Sequence, residues 1–133
     1  MAEKMREILF RGKDQDTAKW VYGHFYTTPY VGENGKTCDY HFISKPKTYG
    51  SNMVIPETVG QYTGMTDKNG VKIFEGDIVE VNHEAYSGVR GEVRFGWGSF
   101  MLKNVSNVLT LYGFLPWCEV VGNIHDDPEL LEG

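Results

Sequence analysis

The sequence predicts a mainly β fold: a small barrel or a strongly bent antiparallel sheet, with an N-terminal hairpin extension and a short C-terminal helix. Three observations carry this. The stretch Gln61–Val79 is punctuated by Asp67-Lys68-Asn69-Gly70 and by Gly76-Asp77, where Asp accepts turn hydrogen bonds and Gly takes positive φ without a Cβ clash. Apolar and polar residues alternate at the period of a strand in Ile78–Val81, Gly91–Phe95 and Ser99–Lys103. Aromatics reach 14%, which suits sheets, and helical periodicity is almost absent.

The elements follow in order. Arg6–Arg11 is a short apolar segment before the turn formers Gly12–Asp16, and Lys19–Tyr26 continues with β-branched and aromatic residues. The two segments are expected to pair as a hairpin. Pro29 is expected to end that run. Asn34-Gly35 is a strong short-range hairpin signal and joins Thr27–Val31 to Thr37–Ile43. Ser44–Asn52 is a loop by composition, and Met53–Ile55 a short strand before Pro56. In Val79–Asn82, Val79 and Val81 are expected to face the core and Glu80 the solvent; His83–Val89 reads as an exposed connection. Gly96-Trp97-Gly98 interrupts two strands, so Trp97 is expected at a turn or bulge. Asn104–Asn107 reads as a loop and Leu109–Leu115 as an apolar segment closed by Pro116. Glu119–Ile124 is the last strand. Asp127-Pro128-Glu129 reads as a helix start, with Asp127 as N-cap and Pro128 in the first helical position.

A chain of 133 residues is the usual size of one domain, expected here to span 1–133, and buries a core without disulfide or metal staples. The net charge of −5 is unevenly spread: residues 1–57 carry 8 Lys/Arg against 7 Asp/Glu, and 58–133 carry 5 against 11. An acidic second half disfavours broad contact with phosphates. Cys38 and Cys118 are too few and too far apart for a disulfide framework, which points to a reducing compartment. No run of about twenty apolar residues occurs, so a soluble, cytosolic protein without membrane contact is expected.

Candidate chemistry is sparse. Cys38-Asp39-Tyr40-His41 has the C-x-x-H spacing of half a zinc site, and Cys118 with His125 supplies a looser second half. The competing reading packs both cysteines as small apolar residues and leaves the histidines exposed; it is preferred, so no metal or other cofactor is expected. Glu75 with Asp77, and His125-Asp126-Asp127, suggest a carboxylate site for a metal-dependent enzyme, but Asp77 and Asp127 are accounted for more simply as turn and helix caps. No nucleophile elbow or Walker loop is present. Binding has more support. Trp20, Tyr22, Phe25, Tyr26, Tyr30, Tyr40, Phe42 and Tyr49 place eight aromatics in thirty positions, more than a thin hairpin buries, beside Lys19, Lys36, Lys45 and Lys47. Aromatics anchor protein interfaces and also stack on single-stranded bases, so a protein partner is expected first, a single-stranded nucleic acid second, and a homo-oligomer contact is a further use of the same rings.

Arg6–Arg11, Gln61-Tyr62-Thr63-Gly64 with Asp67–Gly70, Phe74–Val79, Gly91–Gly96, Glu119–Ile124 and Pro128–Leu131, in this order, resemble the YopX family of bacteriophage and prophage proteins. The resemblance spans most of the chain and departs between about Thr27 and Ser51. It implies residues 20–52 as an aromatic-rich hairpin insertion on a barrel-like core at 53–131. It also implies a phage accessory protein acting in the bacterial cytoplasm, with no catalytic residues to carry over. A Gly-Asp before a Val-rich strand, followed by a Gly-x-Val strand, is similar to SH3-like barrels and bears on architecture alone.

Overall fold

The computed structural model describes residues 5–132. The chain is mainly β and divides into two compact units, Met1–Gln61 and Tyr62–Gly133.

The first unit is an antiparallel meander of β1 (Phe10–Lys13), β2 (Trp20–Val31), β3 (Thr37–Ser44) and β4 (Ser51–Met53). The expected pairing of the first two strands is present, with Phe10 opposite Gly23 and Lys13 opposite Trp20, although the strand begins only at Phe10 and not at Arg6. Asp14 organises the turn between them: its Oδ1 accepts the N–H groups of Asp16 and Thr17 at 2.9 and 3.0 Å. The sheet bends strongly, because an isolated bridge joins Asp14 to Val54 and the N–H groups of Gln15 and Ile55 donate to Met53 and Lys13. Val21, Ile43 and Val54 form its core, with Phe10, Phe25 and Val59 packed around them.

The Asn34-Gly35 hairpin forms, Gly35 taking φ 78°. Pro29 does not end β2, which runs on to Val31. The reason lies in backbone parity. His41 O accepts from Val54 N–H at 2.9 Å, so odd residues of β3 turn their backbone groups towards β4 and even ones towards β2. By register, the backbone groups of Phe25, Thr27, Pro29 and Val31 then face the other edge of β2, where β1 reaches no further than Gly23. The missing proline N–H falls on that edge, so no bond to β3 is lost.

Strand β5 (Gly60–Thr66) pairs with β1 through Gly60 and Gln61; from Tyr62 onward it belongs to the second unit and pairs with β6 (Lys72–Phe74). The second unit's main sheet contains β7 (Asp77–His83), β8 (Tyr86–Gly96), β9 (Ser99–Lys103), β10 (Val108–Thr110) and β11 (Cys118–Asn123), in the order β10-β9-β8-β7-β11. It ends in two edges, so the barrel alternative is corrected: the sheet is open, bent by irregularities at Val81/Asn82 and Val120/Gly122. Ile73, Val79, Val81, Val93, Leu102, Leu109, Leu111 and Cys118 form its core. As expected, Val79 and Val81 are fully buried.

Two local expectations are corrected. His83–Val89 is not a long connection, since His83 already pairs with Tyr86 across a tight turn. The apolar run Leu109–Leu115 divides between two elements: β10 ends at Thr110, and Leu111–Phe114 forms a helical turn, α1, that buries Leu111 completely. The last element, Pro128–Leu131, is a 3₁₀ turn, and Asp127 makes no side-chain cap bond to it; its Oδ2 instead accepts the Asn123 N–H at 3.3 Å. Among the described residues no helix is long and apolar enough to cross a membrane.

Candidate functional site

The β2–β3 arm brings most of the aromatic candidates onto one face. Side chains alternate across a strand, so Trp20, Tyr22, Tyr26 and Tyr30 share the outer face of β2 and Cys38, Tyr40 and Phe42 that of β3. Cross-strand neighbours stack: Tyr30 and Tyr40 lie 3.9 Å apart between centroids at 12°, and Tyr26 and Phe42 5.3 Å apart at 19°. Tyr22, Tyr26 and Tyr40 remain 44%, 41% and 38% exposed. The Tyr26 hydroxyl donates to Ser51 Oγ at 2.7 Å, which ties the ladder to β4. Negative charge on the Cys38 sulfur opposite, with some burial, holds the Tyr30 hydroxyl above the ordinary phenol value.

Trp20 closes one end of this face. The Arg11 guanidinium carbon lies 4.6 Å and Lys13 Nζ 5.5 Å from its ring centre, an arrangement in which the cations are attracted to the electron-rich ring. Tyr49 stands fully exposed in the loop between β3 and β4, together with exposed Lys45 and Lys47. Phe25 does not belong to the outer face. It points the other way, 5.5 Å from Phe10 and 5.7 Å from His41, at the rim of the core.

The zinc arrangement is not formed. On a strand, residues three apart project to opposite faces, so Cys38 and His41 do not converge on one metal ion from β3. Cys118 is fully buried, and its Sγ donates to Phe114 O at 3.1 Å; the His125 N–H donates to Asn123 Oδ1 in the turn after β11. Among the described residues no group of three or more His, Cys, Asp or Glu side chains is placed to hold a metal ion. The carboxylates hold turns instead: buried Asp77 accepts the Phe74 N–H at 2.7 Å, and Asp126 accepts from the Asn123 side-chain amide at 3.0 Å.

Two features of the second unit escape the sequence reading. A shallow cleft of about 380 Å³ lies between the Asn104–Asn107 loop and the C-terminal turn, with Glu80 and Arg90 3.9 Å apart on its floor. Trp97, read only as a turn residue, is 97% exposed with φ 50° at the tip of the β8–β9 hairpin. Neither feature has a local motif; for Trp97 the available signal was the spacing Phe95-x-Trp97-x-x-Phe100 about two glycines.

The fold is thus that of a small, mainly β protein in two units, one of which displays stacked rings on a sheet face. Residues 9–132 match the model of the YopX protein family, and the chain belongs to that family. It is similar to the crystal structure of protein EF1440 from Enterococcus faecalis, with 26% identity over 96% of this chain and 100% of that one, at a TM-score of 0.56. It is also similar to the crystal structure of protein yopX from Bacillus subtilis, at 19% identity, 94% and 96% coverage and a TM-score of 0.54, a likeness of fold alone. No curated protein matches the chain.

Proposed function

We propose that this YopX-family chain is a non-catalytic accessory protein of phage or prophage origin that works in the bacterial cytoplasm by docking another protein on the outer face of its β2–β3 arm. The observation that carries this reading is the pair of ring stacks, Tyr30 with Tyr40 and Tyr26 with Phe42, held on a face where three tyrosines stay about two-fifths exposed. Tyrosines fixed by their neighbours lose little conformational freedom on binding and present both apolar edge and hydroxyl, which suits protein recognition.

The same geometry favours protein over single-stranded nucleic acid. Base stacking needs free ring faces, and in each of the two stacks a cross-strand neighbour already covers one face of each ring. Residues 19–49 carry four lysines against Glu33 and Asp39, a net excess of only two for phosphate-driven affinity. The test is affinity capture from phage-infected or lysogenic cells with wild-type chain and a Tyr26→Ser/Tyr40→Ser variant of matched melting temperature. A protein retained by the first and lost by the second supports the reading. Tight oligonucleotide binding that collapses with added salt would replace it with the nucleic-acid reading, and sedimentation as an oligomer dissolved by the variant would reassign the face to self-association.

A further inference from the structure

The sequence holds two Asn-Gly pairs, Asn34-Gly35 at the tip of the β2–β3 arm and Asn69-Gly70 in the β5–β6 turn, and both are exposed. Glycine leaves its own backbone nitrogen unshielded, so in either pair that nitrogen can approach the preceding side-chain amide. The surroundings differ. Asn34 Oδ1 accepts the Lys36 N–H at 3.0 Å, and the ring closed by this bond contains Asn34 Cγ and Gly35 N, the two atoms that would join. A donor on that oxygen draws electrons from Cγ and stabilises the negative charge that grows on the oxygen under attack. In the other turn the corresponding donor, Val71 N–H, is given to Asp67 Oδ1 at 3.0 Å. The Asp67 carboxylate also opposes loss of the Gly70 amide proton and negative charge on the Asn69 amide. Fraying separates the two further. Among the described residues, β2 and β3 pair only with each other outward of Thr28 and Tyr40, so the bond from Gly35 N–H to Gly32 O opens with the arm's end alone. The Asn69 turn is fastened to β11 through Asp67 and through Lys68 N–H on Cys118 O.

We infer that Asn34 is a site of spontaneous covalent modification by water, through a cyclic imide, and that the folded chain spares Asn69. Gly35 N gives its proton to solvent and forms a bond to Asn34 Cγ. The Cγ–Nδ2 bond then breaks, and the leaving nitrogen takes a proton from solvent and departs as ammonia. Water opens the imide at either carbonyl, leaving aspartate or isoaspartate, so the net change is amide plus water to acid plus ammonia. Either product places a new carboxylate beside Glu33. Isoaspartate also routes the main chain through the former side chain, which adds an atom to the loop that Gly32 N–H and Lys36 O close at 2.9 Å. The arm that carries the Tyr30–Tyr40 stack is thereby altered at its tip in charge and in shape as the protein ages.

The experiment incubates the intact chain at mildly alkaline pH, once folded and once in urea, and follows both asparagines by peptide mass mapping. A protein-isoaspartate methyltransferase with labelled S-adenosylmethionine separates isoaspartate from aspartate. In the folded chain Asn34 is expected to convert about tenfold faster than Asn69, with isoaspartate among its products. In urea, where Asp67 and Lys36 no longer hold their turns, the two sites should convert at comparable rates. Equal rates in the folded chain, a faster Asn69, or the same preference for Asn34 in urea would overturn the inference. So would an Asn34 that keeps its amide when folded yet loses it in urea. Aspartate formed at Asn34 without isoaspartate would mean direct hydrolysis and remove Gly35 N from the chemistry.

Discussion

The Asp67 carboxylate accepts the backbone N–H of Val120 at 2.9 Å, joining two residues 53 positions apart. The same side chain, only 6% exposed, uses its other oxygen to accept from Asn69 and Val71 at 2.8 and 3.0 Å, while the neighbouring Lys68 N–H donates to Cys118 O. One buried carboxylate therefore shapes the β5–β6 turn and fastens it to β11. Asp67→Ala is expected to destabilise the chain by about 2–4 kcal/mol, since hydrogen bonds to a charged acceptor are lost and a partly buried N–H is left without one. Asp67→Asn keeps one acceptor oxygen for the turn but sets its amide against Val120 N–H, donor against donor, and should cost less than alanine. Urea unfolding followed by circular dichroism checks both; a loss below about 0.5 kcal/mol for alanine would refute the clasp.

Cys118 sits beside this clasp. Burial, and secondly the charge of Asp67, push its thiol up to about 11. The folded state thus holds the proton more tightly than the unfolded chain, whose thiol titrates near 9, so the contribution is complete below about pH 9 and is lost as pH rises through about 11. The slope of stability against pH in that window should be shallower in Cys118→Ala than in wild type. Cys38 is exposed, so a disulfide reagent should modify one thiol in the native chain and two in denaturant. Two fast-reacting native thiols would contradict the buried placement.

The turns were legible in the sequence because their chemistry is local. Gly70, Gly76 and Gly35 take positive φ where Asp-x-x-Gly, Gly-Asp and Asn-Gly announce it, and Asp77 holds its turn as its position suggested. The Asp67–Val120 bond was not legible, since nothing near either residue names the other. Leu109–Leu115 was legible only as an apolar run, because such a short run does not separate a strand from a helical turn. The stacked face was legible as composition but not as geometry: only the register that pairs Tyr26 with Phe42 shows which rings share a face and removes Phe25 from them. Trp97 was obscured because an indole ordinarily signals burial, whereas here the backbone turns it outward.

Gly23 marks a close approach between the backbones of β2 and β3. A Cβ there would stand 2.1 Å from the carbonyl oxygen of Ser44 and 3.2 Å from Ile43 Cγ2. The oxygen is backbone on the paired strand and cannot step aside without opening the β2–β3 ladder. Gly23→Ala should therefore cost about 3 kcal/mol. Gly35→Ala is the contrast: it lies at φ 78° with nothing within 4 Å of the added atom, so only backbone strain of about 1 kcal/mol applies. Thermal melting orders the two. Equal losses would mean that contact with Ser44 does not limit β2.

Asp14 links the first turn to β4, its Oδ2 accepting from the Asn52 side-chain amide at 2.7 Å. That bond first, and then the N–H groups of Thr17 and Asp16, hold its carboxyl below the ordinary 3.8. A depressed folded value means a contribution fully present above the ordinary carboxylate range and lost as pH falls through the lowered one. Asn52→Ala removes the largest cause, so the Asp14 titration followed by carboxyl NMR should move up towards the ordinary value. The stability difference between wild type and Asn52→Ala should shrink as Asp14 is protonated, because a neutral carboxyl gives the amide a weaker acceptor. A titration unchanged by Asn52→Ala would place the cause in the turn's own N–H groups and remove Asn52 from the account.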